Sequence, residues 1–126
     1  MTARAVAAGG PGVVVALHHV GLLVDDIETA LPFYTDVLGL DVRDDRPDVR
    51  ARGAWLDVGD GQVHLFEGRT PDDAGQHLAL RVDDVEAIIE RLRESGIAFT
   101  SYPRDAPPRQ VVVHDPSGNR IELTRG

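Results

Sequence analysis

Few residue types in this chain can do chemistry. It contains no Cys and no Lys, so all 13 of its Lys/Arg positions are Arg. Disulfides, thiolate metal sites, cysteine nucleophiles, Schiff-base lysines and phosphate-cradling lysines are therefore excluded. What remains is five His, 21 acidic residues, Arg and a few hydroxyls. Four of these share a regular spacing. His19 precedes His64 by 45 positions, His77 precedes Glu122 by 45, and an offset of 58 relates the two pairs. Imidazole and carboxylate donors suit a divalent first-row metal. If two copies of one unit superpose about a pseudo-twofold axis, these four side chains converge near it.

The elements that must position them repeat with the same offset. Leu17-His18-His19-Val20-Gly21-Leu22-Leu23-Val24-Asp25-Asp26-Ile27-Glu28 aligns without a gap on Gly75-Gln76-His77-Leu78-Ala79-Leu80-Arg81-Val82-Asp83-Asp84-Val85-Glu86. The shared pattern is His, apolar, small, Leu, any, Val, Asp, Asp, apolar, Glu. Such a fixed-period match reads as duplication. Stretches 17–24 and 77–82 are short, apolar and branched, and read as strands. Asp83 with Glu86 forms a capping-box pattern, and Asp25 with Glu28 repeats it. Val85, Ile88, Ile89 and Leu92 fall on one helical face, and Gly96 ends the helix. In the first copy Leu31, Tyr34 and Leu38 share a side, and Pro32 is expected to kink that helix or delay its regular part.

Three strand windows follow each helix: 40–44, 53–58 and 62–67, then 98–101, 110–114 and 119–124. Each half is therefore βαβββ, and the fold class is α+β. The organisation is a loose tail over 1–12, a first module over 13–68, a linker over 69–75 and a second module over 76–126. The whole forms one structural domain. A net charge of −8 argues against a nucleic-acid backbone or an acidic membrane surface as partner. No apolar run approaches 18 residues, so no membrane span is expected, and a cytoplasmic location is.

With these phrases, and with Pro32-Phe33-Tyr34-Thr35-Asp36-Val37-Leu38-Gly39-Leu40 and Asp115-Pro116-Ser117-Gly118-Asn119-Arg120-Ile121-Glu122-Leu123, the chain resembles the vicinal oxygen chelate superfamily. That superfamily includes glyoxalase I, extradiol dioxygenases and bleomycin- and fosfomycin-resistance proteins. The resemblance covers about residues 16–124. It implies two βαβββ modules in tandem, whose curled mixed sheets surround a central metal-binding cup. It places metal ligands at His19, His77 and Glu122, with His64 at the fourth position, where Glu or Gln is usual. It implies one divalent ion per site (Zn, Ni, Mn, Co or Fe) and a small substrate that chelates the ion through oxygens. Glu122, the sole carboxylate of the set, becomes the candidate catalytic base. The resemblance also implies a homodimer in which His19 and His64 of one chain meet His77 and Glu122 of the other.

Around this set, Arg109, Trp55, Arg52 and Gln62 are candidate substrate contacts. Arg109 offers a planar fork to a carboxylate or phosphate, and Trp55 offers an apolar wall. Strand alternation puts Gln62 on the face of His64 and points His18 away from His19. His114 is expected at the surface or pocket rim, and 41–52 as a solvated loop with internal charge pairs. Three activities remain open: a glyoxalase-like lyase or isomerase, an Fe(II)-dependent extradiol-type dioxygenase, and a non-catalytic antibiotic- or metabolite-binding protein.

Overall fold

The computed structural model describes residues 10–126, so the tail expected over 1–12 lies outside the described residues up to residue 9. The first half runs β1 (His19–Val24), α1 (Ile27–Pro32), β2 (Asp41–Val42), β3 (Gly53–Val58) and β4 (Gly61–Glu67). The second runs β5 (His77–Arg81), α2 (Val85–Glu94), β6 (Phe99–Tyr102), β7 (Gln110–His114) and β8 (Arg120–Thr124). Each half makes one four-stranded sheet, in the orders β1-β4-β3-β2 and β5-β8-β7-β6. β1 lies parallel to β4, and β5 to β8; the other pairings are antiparallel. The architecture is thus α+β with two tandem modules.

Alternation along the strands decides which side chains reach the core. In β4, Val63 and Leu65 are buried, which turns Gln62, His64 and Phe66 to the other face. In β8, Ile121 and Leu123 are buried, which turns Arg120, Glu122 and Thr124 outward in the same way. One apolar cluster joins both modules: Ile27, Phe33, Leu56 and Leu65 share it with Ile88, Leu92, Val113 and Ile121. The face that carries the candidate ligands is thereby separated from the core.

Several local expectations are corrected. β1 begins at His19, two residues later than expected, because β4 starts only at Gly61 and the last ladder bond is Gln62 N–H to His18 O at 3.1 Å. Leu17, ahead of the ladder, is 75% exposed. The helix caps are Asp26 and Asp84, one position beyond the expected Asp25 and Asp83. The sheet ladder reaches past each strand, through Gly68 N–H to Val24 O and Val82 N–H to Thr124 O, so the chain turns one residue later. Glu28 and Glu86 still sit in the first helical turn, where acidic groups complement the dipole.

Pro32 acts as a register change. It lacks the N–H that the α-helical ladder needs, and α1 continues as a π-helical turn over Phe33–Val37, closed by Leu38 N–H to Phe33 O at 3.0 Å. The wider turn brings Phe33, Tyr34 and Val37 into the core beside Ile27 and Ala30, leaving Leu31 and Leu38 at its margin. α2 behaves as its periodicity indicates: Val85, Ile88, Ile89 and Leu92 are buried. It ends at Gly96, with φ +69°, where Gly96 N–H bonds Arg93 O and Ile97 N–H bonds Leu92 O.

A polar stitch crosses between the modules inside this core. The Tyr34 hydroxyl donates to the Asp115 carboxylate at 2.5 Å, and Asp115 is only 4% exposed. Asp115 also accepts from Ser117 N–H, Asn119 N–H and the Asn119 side chain, whose amide further donates to Leu23 O in β1. Burial first, and then the Asp115 charge, hold the Tyr34 phenol protonated far above its ordinary range. Tyr34→Phe leaves the buried carboxylate one donor short. It is expected to cost about 1–3 kcal/mol in urea unfolding; a loss below about 0.5 kcal/mol would show the stitch to be unimportant.

Candidate metal centre

In the first module, the adjacent strands β1 and β4 present His19 and His64 on the face opposite the core. Their registers are His19 with Gln62 and Gly21 with His64. The two imidazoles stack at 4.0 Å between centroids with an 11° interplanar angle. Trp55, directly across from His64 in β3, stacks on its other side at 4.3 Å and 10°. The His64 ring is thus held between His19 and Trp55, and its Nε2–H donates to Gln62 Oε1 at 2.7 Å. Burial first, and then His19, His18, Arg43 and Arg46, lower the His64 pKa. The ring therefore tends to stay neutral, the form that donates a lone pair to a metal.

His18 departs from the expectation of an opposite-facing neighbour. It precedes β1, where strand alternation does not apply, and its Nδ1 lies 2.8 Å from His19 Nδ1.

The second module repeats the placement with β5 and β8. His77 Nε2 lies 2.5 Å from Glu122 Oε2. The other ring nitrogen, Nδ1, donates to Gly75 O at 2.8 Å, which leaves Nε2 to face the carboxylate. Glu122 Oε1 accepts from the Gln110 side chain at 2.6 Å. Val112 stands across from Glu122 as Trp55 stands across from His64, and Ala79 takes the place of Gly21. The repeat therefore extends from backbone to site geometry.

The structure brings the four expected ligands together as two pairs, His19 with His64 and His77 with Glu122. Among the described residues, no group of three His, Cys, Asp or Glu side chains is placed to hold one ion. The donor chemistry nonetheless fits a divalent ion. Each pair offers adjacent nitrogen or oxygen donors on an accessible face, two of the imidazoles are oriented by outer hydrogen bonds, and one carboxylate supplies charge.

The expected substrate contacts divide. Trp55 and Gln62 both touch His64. Arg52 pairs with Glu28 of α1 at 2.9 Å and with Glu67 at 3.4 Å, so its guanidinium is engaged away from the histidine pair. Arg109 is exposed; its backbone bonds to Tyr102 O and accepts from Arg125 N–H. Of the charge pairs expected within 41–52, Arg43 with Asp45 forms inside the stretch, while Arg43 also reaches out of it to Asp57 of β3. His114 lies at the surface and pairs with Asp73 at 2.8 Å. A cavity of about 330 Å³ lies where β1 approaches β5, lined by Gly21, Leu23, Phe66, His77 and Arg120.

Two residues beside the site escape a reading of motifs. Gln110 shares a strand face with Val112, which alternation exposes, but its bond to Glu122 depends on register. Asp73 lies in the linker, where no periodicity applies.

Comparison with known proteins adds to this geometry. A sequence model of the Glyoxalase/Bleomycin resistance protein/Dioxygenase superfamily matches residues 16–123. A 2-epi-5-epi-valiolone epimerase from an Actinomyces species is 33% identical, over 91% of this chain and 81% of its own length. A lactoylglutathione lyase from Haemophilus influenzae is 32% identical, over 83% of this chain and 88% of its own. The crystal structure of an antibiotic-binding protein from a Streptomyces species superposes with a TM-score of 0.69. It is 31% identical and covers 88% of this chain and 95% of that one.

Proposed function

Since this chain belongs to the Glyoxalase/Bleomycin resistance protein/Dioxygenase superfamily, we propose that it is a metal-dependent lyase or isomerase that relocates a proton on a small substrate bearing adjacent oxygens. The observation that carries the reading is the pairing of donors in both repeats, His19 with His64 and His77 with Glu122. Relatives about one-third identical, a lyase and an epimerase, support this reaction class.

In this reading a pair from one chain meets the complementary pair of a second copy, giving a homodimer with two equivalent centres. His19, His64, His77 and Glu122 would hold one divalent ion. When bound, such an ion polarises a carbonyl oxygen and stabilises the negative charge that develops there. Glu122 removes the proton from the neighbouring carbon and returns it at the new position. Gln110 holds one Glu122 oxygen, aiming the other at the site and limiting rotation of the base. Trp55 buttresses His64 by stacking on its ring and adds apolar surface beside it for the substrate. Gln62 orients His64 from the same strand face.

The reading is tested by metal analysis of protein purified without added metal, together with turnover of 2-epi-5-epi-valiolone and lactoylglutathione. Zn, Ni, Co or Mn near one ion per chain, with turnover of either compound, is the expected result. Iron with oxygen consumption would replace it by the dioxygenase reading.

A binding protein without turnover is the second reading, favoured by the antibiotic-binding relative and by the aromatic stack around His64. Absence of metal, with ligand binding unchanged in His77→Ala, would establish it and remove the metal centre.

A further inference from the structure

We propose that Asp73, a linker residue outside every strand and helix, is a positioning residue for His77. Acting through the Gly75 carbonyl, it holds the imidazole with Nδ1 protonated and Nε2 turned to Glu122. The inference deepens the metal-centre reading above and rests on it for its functional meaning.

The carboxylate is fixed from two sides. Its Oδ2 accepts from His114 Nε2 at 2.8 Å, and from Arg120 Nε and Nη2 at 3.1 and 3.0 Å. Its Oδ1 accepts from Gly75 N–H at 2.9 Å. His114 and Arg120 are ladder partners across β7 and β8, and Arg120 is in turn the ladder partner of His77 in β5. Asp73 is therefore tied to the sheet row that contains the ligand it is proposed to orient.

From this anchor the chain reaches His77 through one tight turn. Gly75 has φ +108°, a region that a residue with a side chain enters only under strain. Gln76 braces the turn, its amide oxygen accepting from Ala74 N–H at 3.1 Å and its amide nitrogen donating to Asp72 O at 2.8 Å. The Gly75 carbonyl then receives the His77 Nδ1–H at 2.8 Å. Among the described residues, no other hydrogen bond ties residues 72–75 to β7 and β8.

The consequence is a preset donor. The His77 side chain is 39% exposed, so packing alone leaves its ring freedom to turn. A fixed Nδ1–H bond sets the ring orientation in which Nε2 is the nitrogen offered to a metal; the hydrogen that Nε2 shares with Glu122 in the metal-free chain would be displaced by the ion. Asp73 remains charged across the working range, because His114, Gly75 N–H and Arg120 hold its carboxyl down at about 2. A plain surface ion pair would contribute little to stability and would have no effect on His77. This difference separates a positioning role from a structural one.

The test compares wild type with Asp73→Ala and Asp73→Asn in the full chain. Two quantities are read: the hydrogen-bonded His77 Nδ1–H signal by NMR in metal-free protein, and Zn(II) and Mn(II) affinity by calorimetry. Asp73→Ala is expected to lose the Nδ1–H signal by exchange with water and to bind metal roughly ten- to a hundredfold more weakly. Asp73→Asn keeps an oxygen for Gly75 N–H but loses the ionic ties, and is expected to fall between. Should Asp73→Ala not fold, His114→Ala removes one tie alone and is expected to weaken the same signal. An unchanged signal overturns the inference, as does unchanged affinity in a chain whose wild type binds metal. If wild type binds neither ion, the metal-centre reading fails by itself, and the NMR comparison still decides whether Asp73 orients His77.

Discussion

Glu122→Gln is expected to lower turnover by roughly a hundred- to ten-thousandfold, the span that a positioned general base contributes. The argument begins with its neighbours. Glu122 is the sole carboxylate of the candidate set. One of its oxygens accepts from Gln110 at 2.6 Å and the other lies 2.5 Å from His77 Nε2. Glutamine preserves size and keeps one oxygen for Gln110, but its amide cannot take up a proton at neutral pH. Stability is expected to change little, because the side chain projects from the face opposite the buried Ile121 and Leu123. Measuring metal content alongside turnover separates loss of the base from loss of the ion. Turnover within threefold of wild type, with metal retained, would remove Glu122 from the role of base.

His77→Ala is expected to remove metal binding itself, by more than the roughly ten- to hundredfold loss typical of an outer partner. His77 has both ring nitrogens engaged, with Nδ1 committed to Gly75 O and Nε2 facing Glu122. Its removal leaves Glu122 without its imidazole neighbour, and the pair falls to one donor. Folding should persist, since the side chain stands exposed at the first residue of β5 and contributes nothing to the core. Equilibrium dialysis against Zn(II) or Mn(II), with thermal unfolding as control, checks both halves of the expectation. Binding within twofold of wild type would show that His77 is not a ligand.

Much of this arrangement is legible in the sequence because duplication writes the same information twice. The offset of 58 marks βαβββ in each half. The period of two along β4 and β8 is enough to set His64 and Glu122 on faces opposite Val63, Leu65, Ile121 and Leu123. What escapes is whatever depends on where a periodic element begins or on how a non-periodic segment travels. The cap moves by one residue because ladder bonds from Gly68 and Val82 extend each sheet. His18 meets His19 because the strand has not yet begun. Arg52 is taken by Glu28 of α1, a partner 24 positions away that no strand pattern indicates. Asp73 reaches β7 and β8 only through the path of the linker. That path is set by the left-handed Gly75 and by the Gln76 bonds rather than by any run of residue types.

The central claim is that two half-sites, each made within one module, become one centre when two chains meet. Its most direct test mixes His19→Ala chains with Glu122→Ala chains and measures tightly bound metal per dimer. Either variant alone carries no intact set. A heterodimer regains one, from His19 and His64 of the Glu122→Ala chain with His77 and Glu122 of the other. The account predicts recovery of about one ion per heterodimer. Mixed dimers with no more metal than the separate variants would contradict it.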